Sequence, residues 1–534
     1  MAARWAQRAW SVPVTAHCLA LLVVLVGLAA VVGTESSYID DEGAAVVQAR
    51  HLADHNSWIV PHPLPEVDPT GLFYPYKLSE AGERGAAPFA KHPVYAVVLA
   101  SLWRIGGIKA LLGLSLLGTV LAGLTAGLLA GRIDSRFARP AVWAVGLGSP
   151  LLFDGYLVLA HTVGAALGGA LVLVLTRREG RGKLGAVAGA AALAAGLVLM
   201  RSEGALLVGA AAVAAFVPRR TRWLAIAAAS GGAGAFVAER LWVRSIVGAP
   251  VASAVVSAGH RAGVGGVRGR VNGAWATLVR PGYSGGSAAE FLLLVALVAF
   301  VFGVLLARQR SVFTPLAAVT ASACVLLRLA IAPAAPVPGM LVACPILLVG
   351  GLSAAVMRAR SLLNPVHVAL LGLFVLGVLA TQYEHGGGLE WGGRYFAIAL
   401  PLAIPIALVG LAALPRSLVV GVAVATLALS TLAVAELRDT HRATTRVLDA
   451  IDAEGGALAI TTAGELPRLD WAAADRRQWL LVPPDDVATL LRRLPAAGVH
   501  RVVVVYPDSR PPRGWTDRGR QVPGLRWRIV AVEL

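Results

Sequence analysis

Asp40, Asp41 and Glu42 stand side by side about seven residues beyond the end of an apolar run, 15–33. A carboxylate within hydrogen-bond reach of a hydroxyl can take its proton as a bond forms, so an acidic cluster at a membrane interface is a candidate general base. The same loop closes on Lys91-His92-Pro93-Val94-Tyr95. Further along, Arg201-Ser202-Glu203 separates two apolar runs, and Glu390-Trp391-Gly392-Gly393-Arg394-Tyr395 leads into another. Arginine offers a planar fork to phosphate oxygens and lysine a point charge. Cations placed where negative charge gathers on a leaving group stabilise that charge.

These residues need elements to hold them. Gly43 to His55 reads as a short amphipathic helix, with Val46, Val47, Ala49, Leu52 and Ala53 on an apolar face. Trp58 suits an interfacial anchor, and Pro61, Pro63, Pro65, Pro69 and Pro75 keep the following stretch irregular. A loop so long and acidic is more than a connector. It reads as an active-site loop.

Composition sets the class. The 534 residues are 57% hydrophobic and 14% charged, against about 25% charged in soluble domains. The formal charge of +17 resides largely in short loops between apolar spans, where arginine orients the chain and meets anionic lipid. No basic stripe interleaved with aromatics points to nucleic acid. Cys18, Cys324 and Cys344 lie in apolar runs without metal-ligand spacing and read as small buried hydrophobes.

Thirteen apolar runs follow one another: 15–33, 108–130, 140–158, 160–176, 184–201, 204–217, 222–241, 288–307, 311–332, 340–357, 365–381, 396–414 and 417–435. The shorter run 93–105 is assigned to an interfacial helix. With the N-terminus inside, the loops holding Arg132/Arg136/Arg139, Arg177–Lys183, Arg219–Arg222, Arg308/Arg310, Arg358/Arg360 and Arg416 all fall in the cytoplasm. Counting 93–105 as a crossing would place them all outside. The expected protein is an α-helical polytopic membrane protein of about 13 transmembrane helices, residues 1–436. The acidic loop (34–107) and the 242–287 loop would face outward from the plasma membrane.

At about 437 the composition becomes mixed and charged. A helix over Thr440–Ala453, strands over Ala457–Thr462 and near Trp479–Val482, a helix over Asp485–Leu494, and strands over Arg501–Tyr506 and Arg526–Val532 predict a small α/β domain, 437–534, on the outer face. It carries no Gly-rich phosphate loop.

Taken together, the motifs resemble a family. Asp41 to Pro61, DEGAAVVQARHLADHNSWIVP, is similar without a gap to the D-E signature of the C-type (GT-C) membrane glycosyltransferases, and more narrowly to the protein O-mannosyltransferase and aminoarabinose-transferase group. Lys91–Tyr95 resembles that group's K-P-P-L-Y element, Gly148-Ser149-Pro150 its S-P element, and Arg201-Ser202-Glu203 its R-P-E element. Val247–Pro250 resembles G-x-P, and Glu390–Tyr395 running into Pro401 resembles W-G-x-R-Y…P. The chain departs at Ala45, where the family usually has tyrosine, at His92 for proline, and at His161, where an acid is common.

The resemblance implies transfer of a sugar from a polyprenyl-phosphate-linked donor to an acceptor hydroxyl at the outer face. Asp41 would be the base, with Glu42 or Asp40 as helper, and Lys91 and Arg394 would clamp the phosphate. His92, Tyr95, Arg201, Glu203 and Tyr395 are further substrate-binding candidates. Asp154 and His161 are read as polar residues lining a cavity. No cofactor and no metal is expected, membrane lipid surrounds the protein, and the acceptor is a glycan, a lipid or a protein. Two other classes fit a polytopic chain: a lipid-linked sugar transporter or flippase, and a non-catalytic envelope scaffold. A transporter would concentrate charge near span centres, whereas here the strongest charges sit at outer ends and in loops.

Overall fold

The computed structural model describes residues 13–33, 36–76, 85–90, 92–177, 183–248, 266–357, 363–381, 383–387, 391–515 and 518–534. Most of the thirteen apolar runs form helices within it, but 140–158 gives only Ala138–Gly146 and the short Leu151–Asp154, and 340–357 is divided into Met340–Ala343, Ile346–Gly350 and Gly351–Val356. Seven described helices are long and apolar enough to cross a membrane: Val14–Val32, Pro93–Ile133, Arg222–Val247, Ala288–Arg308, Thr314–Ile331, Arg394–Leu411 and Arg416–Glu454. Shorter apolar helices include His161–Leu175, Leu184–Met200, Glu203–Phe216, Ile346–Val356 and Pro365–Thr381. The chain is a multi-pass helical membrane protein. Outward-facing Leu19, Val23, Leu376 and Leu427 are exposed, as lipid-facing positions should be.

Two compact units form, and they do not follow the linear order of the chain. One comprises 1–32, 113–238 and 259–437; the other comprises 33–112, 239–258 and 438–534. The first is the helical membrane body, where Ala288–Arg308 packs on Thr314–Ile331, Pro365–Thr381 on Glu203–Phe216, and His161–Leu175 on Lys183–Met200.

The second unit is built on a five-stranded sheet. Its strands are β3 (Leu458–Thr461), β4 (Gln478–Leu481), β5 (Arg501–Pro507), β6 (Arg520–Gln521) and β7 (Trp527–Glu533), following a small antiparallel pair, β1 (Val60–Pro61) and β2 (Gly85–Ala86). The order is β4-β3-β5-β7-β6, with β3 parallel to both neighbours and β7 antiparallel to β5 and β6. One face buries Val447, Ile451, Trp479 and Trp527. The other buries Leu490, Leu494, Tyr506 and Trp515 together with Leu64, Val67 and Phe73 from the acidic loop. Burying three such side chains contributes on the order of 5 kcal/mol before entropy, and the Phe73 carbonyl accepts the Leu481 N–H at 2.8 Å. The irregular proline-rich stretch is therefore part of this unit's core.

The expected strands all form, with ends shifted by a residue or so, and the short edge strand β6 was not anticipated. Three boundaries differ more. The helix expected over Thr440–Ala453 is continuous with the last apolar run in Arg416–Glu454, because Glu436 to Arg446 contains no Gly or Pro to break it. Residues 93–105 join 108–130 in one run, Pro93–Ile133, interrupted at Gly106 and Gly107, whose φ of 56° at Gly107 leaves the helical region. The helix expected from Gly43 begins instead at Asp40, so the three carboxylates form its first turn. Negative charge is favoured at that end of a helix.

Candidate active site

The start of the Asp40–His55 helix gives the three carboxylates different surroundings. Ile39 is extended (φ −131°, ψ 163°) and has no capping side chain. Glu42, at the third helical position, reaches back to accept the Tyr38 N–H at 2.7 Å and is only 2% exposed. The contact resembles the acidic half of a capping box but reaches the N–H of the residue before the N-cap. Asp40 receives the guanidinium of Arg468 at 2.6 Å and also accepts the Asp41 N–H at 3.0 Å. Asp41 is half-buried between them.

The helix is held closely from one side. A Cβ on Gly43 would overlap the Arg468 carbonyl, so only glycine lets the Leu466–Leu469 turn approach and bring Arg468 to Asp40. Two turns on, Gln48 is fully buried; its amide donates to the Trp58 carbonyl at 3.0 Å and accepts the Phe89 N–H at 3.2 Å. That bridge fixes both ends of the irregular stretch. At the loop's origin, His441 Nδ1 donates to the Gly33 carbonyl at 2.7 Å, and Ser36 Oγ donates to the His441 carbonyl at 3.1 Å.

The K-H-P-V-Y element lies in the same unit, although Lys91 falls outside the described residues. His92 Nδ1 is 3.0 Å from Glu239 Oε1, and both side chains are buried. Tyr95 is 1% exposed and packs edge-on to Phe89. His92 and Tyr95 thus sit in packed surroundings.

The membrane unit holds a second group of charges. Arg201 pairs with Glu203 through two hydrogen bonds of 3.0 and 2.9 Å, a bidentate geometry. Asp154 Oδ1 lies 3.1 Å from His161 Nδ1, and both residues are almost wholly buried. Arg201 and Arg394 both act electrostatically on Asp154. Arg394 also stacks over the Tyr395 ring at 5.5 Å. The W-G-G-R turn places Arg394 through two left-handed glycines, Gly392 (φ 67°) and Gly393 (φ 59°); a Cβ on Gly392 would strike the Pro150 ring, and one on Gly393 the Thr277 carbonyl. Trp391 stacks on Phe153 at 5.8 Å. The weak S-P and W-G-x-R-Y elements are thereby one packed assembly. Glu390 falls outside the described residues, as do Ala249 and Pro250 of the G-x-P element.

Two partners had gone unnoticed in the sequence. Arg468 lies in ELPRLDW, where nothing distinguishes it from other arginines. Glu239 did carry a signal, since an ionisable residue near the end of the apolar 222–241 run is costly unless paired.

No family model matches the chain, and no curated protein matches it. The chain is similar to two solved structures of ArnT from Cupriavidus metallidurans. One, bound to undecaprenyl phosphate, shows 14% identity and a TM-score of 0.48 over 96% of this chain and 97% of that one. The other, in the apo state, shows 15% identity and a TM-score of 0.48 over 98% of each.

Proposed function

We propose that this protein is a membrane glycosyltransferase that moves a sugar from a polyprenyl-phosphate-linked donor to an acceptor hydroxyl at the outer face, with Asp41 as general base. The observation that carries the reading is the gathering of Asp40, Asp41 and Glu42 into the first turn of one helix, where Asp40 meets Arg468 and Glu42 accepts the Tyr38 N–H. In the family it resembles, the matching aspartate of the D-E signature has the role of base.

In the proposed reaction the acceptor oxygen attacks the anomeric carbon as the bond to the lipid phosphate breaks. The acceptor proton passes to the Asp41 carboxylate, and the phosphate leaves with the bonding electron pair. Arg394 and Lys91 supply positive charge for that phosphate, and Arg201 reinforces it through the buried cluster around Asp154. His92, Tyr95 and Glu203 then serve as supports for these groups. Asp40 and Glu42 help in this reading by holding the first helical turn in place.

The test is release of polyprenyl phosphate from a labelled lipid-linked sugar by the purified protein, compared with Asp41→Asn. Asparagine keeps the size and cannot take the proton. Loss of a general base removes about 10²–10⁴-fold in rate. Wild-type protein that releases no lipid phosphate from any such donor sinks the transferase reading, and an Asp41→Asn variant with more than about a tenth of wild-type turnover removes Asp41 from the role.

A further inference from the structure

The second unit holds a cleft of about 670 Å³, well within the range of small-molecule sites, between the last turns of the Asp40–His55 helix, the proline-rich stretch and edge strand β4. Asp41 does not line it. We propose that this cleft binds a neutral oligosaccharide, as a docking site for a glycan acceptor remote from the reacting hydroxyl.

The charges of the lining select against an anion. Arg50 is held by Asp475 and by Asp54 at 3.6 Å, and donates to the Trp471 carbonyl at 2.9 Å. Arg477 is paired with Asp470 at 2.7 Å and with Asp452. His62 accepts the Leu64 N–H at Nδ1, so Nε2 carries the proton that it donates to Asp68 at 2.9 Å. Every arginine in the wall thus already has its carboxylate, and a phosphate or carboxylate ligand would have to displace one. The three histidines do not make a metal centre either: among the described residues no group of three His, Cys, Asp or Glu side chains is placed to hold an ion.

What remains suits hydroxyls. Asp54, Asp475 and Gln478 are exposed at the rim and offer acceptors and an amide donor to a polyhydroxylated ligand. Exposed Pro61 and, deeper in, the buried Pro75, Tyr74 and Trp479 present flat apolar surface, which complements the C–H faces of sugar rings. Burial pushes the Tyr74 hydroxyl above the usual phenol range, and it donates to the Val60 carbonyl at 2.6 Å, which fixes its ring. That wall is held in place before any ligand arrives, which lowers the cost of binding.

Distance sets the ligand's length. At 1.5 Å per helical residue, Arg50 and Asp54 lie about 14 and 20 Å along the axis from Asp41. A single sugar in the cleft cannot reach Asp41, and a chain of several linked sugars can. This acceptor role rests on the transferase reading above; the binding itself does not.

The experiment titrates the full-length protein in detergent with linear mannose, arabinose, glucose and N-acetylglucosamine oligomers of graded length, by calorimetry. At least one series is expected to bind, with affinity rising as the chain lengthens. Ala474→Trp, which fills the cleft from a partly exposed lining position, should weaken that binding at least tenfold. Asp54→Asn and Gln478→Ala, both at exposed sites, should weaken it severalfold while leaving the melting temperature unchanged. Donor cleavage without acceptor should be unaffected in all three variants, whereas Asp41→Asn should lose turnover and keep oligomer binding. Absence of binding by every series, or equal binding by wild type and all three variants, overturns the cleft proposal and leaves the transferase reading standing. Oligomer binding that depends on these residues, in a protein without donor cleavage, does the reverse.

Discussion

Arg468 sets its guanidinium 2.6 Å from Asp40, joining residues 428 positions apart in the chain. Arg468 is 8% exposed at its side chain and Asp40 44%, so the pair is wet on one side only. The contact turns one of three adjacent acids into a fixture of the fold. Arg468→Ala should lower the melting temperature, by about 1–2 kcal/mol in stability given the half-exposed partner. Asp40→Asn should cost less, since its amide oxygen still accepts from Arg468, and should retain most turnover. Calorimetric melting and donor cleavage on the same preparations check both. A dead but stable Asp40→Asn would move the base to Asp40.

Glu42 gives a matching prediction with the opposite chemistry. Its carboxylate accepts a backbone N–H, which needs an oxygen and not a charge. Glu42→Gln should therefore melt close to wild type, while Glu42→Ala should lose about 1 kcal/mol, the usual worth of a helix-capping contact. Equal melting of the two variants would show that the cap contributes nothing.

Gly43→Ala should be far worse than either. The added methyl would meet the Arg468 backbone, and a packed backbone cannot move aside as a flexible side chain can. We expect a loss of more than about 2 kcal/mol and a weakened Asp40–Arg468 contact, comparable to overpacking a core. A melting temperature within a degree of wild type would refute the close approach.

Much of this was legible before any coordinates. The apolar runs report helices because length and composition in a membrane leave few other choices. The strands of the C-terminal region show as short β-branched stretches such as Val502–Val505. The separate contacts of Asp40 and Glu42 were not legible. They depend on Arg468 and on a helix that starts three residues early, and neither periodicity nor spacing encodes a partner over four hundred residues away. The core role of Leu64, Val67 and Phe73 was hidden for the same reason: prolines mark the stretch as irregular without revealing what it packs against.

The proposed orientation rests on the arginine loops and is tested independently of chemistry. A reporter fused after Arg222 should read cytoplasmic, and one fused after Leu437 should read outside. Reversal of the first result would put the acidic loop on the other side of the membrane, and reversal of the second would do so for the C-terminal region.

Arg201 and Glu203 allow the structural and functional roles of a buried pair to be separated. Their side chains are 12% and 9% exposed, and they share two hydrogen bonds. Removing one partner strands the other's charge away from water, which typically costs about 3–5 kcal/mol. Arg201→Met and Glu203→Leu should therefore each unfold more readily. The double variant strands neither member of the pair and should recover part of that loss, because well-packed apolar pairs replace buried ion pairs at little net cost, while Asp154 still loses the nearby Arg201 charge. Activity should not recover with it. If Arg201 lends charge to the departing phosphate, the stable double variant still lacks that charge and should show a raised KM for the lipid-linked donor, or a reduced kcat, while Glu203→Gln, which keeps Arg201 but only one of its two hydrogen bonds, should lose stability and keep a donor KM near wild type. Thermal melts and donor kinetics on the four proteins complete the cycle. A double variant that regains both stability and wild-type turnover would make the pair purely structural and remove Arg201 from the proposed mechanism.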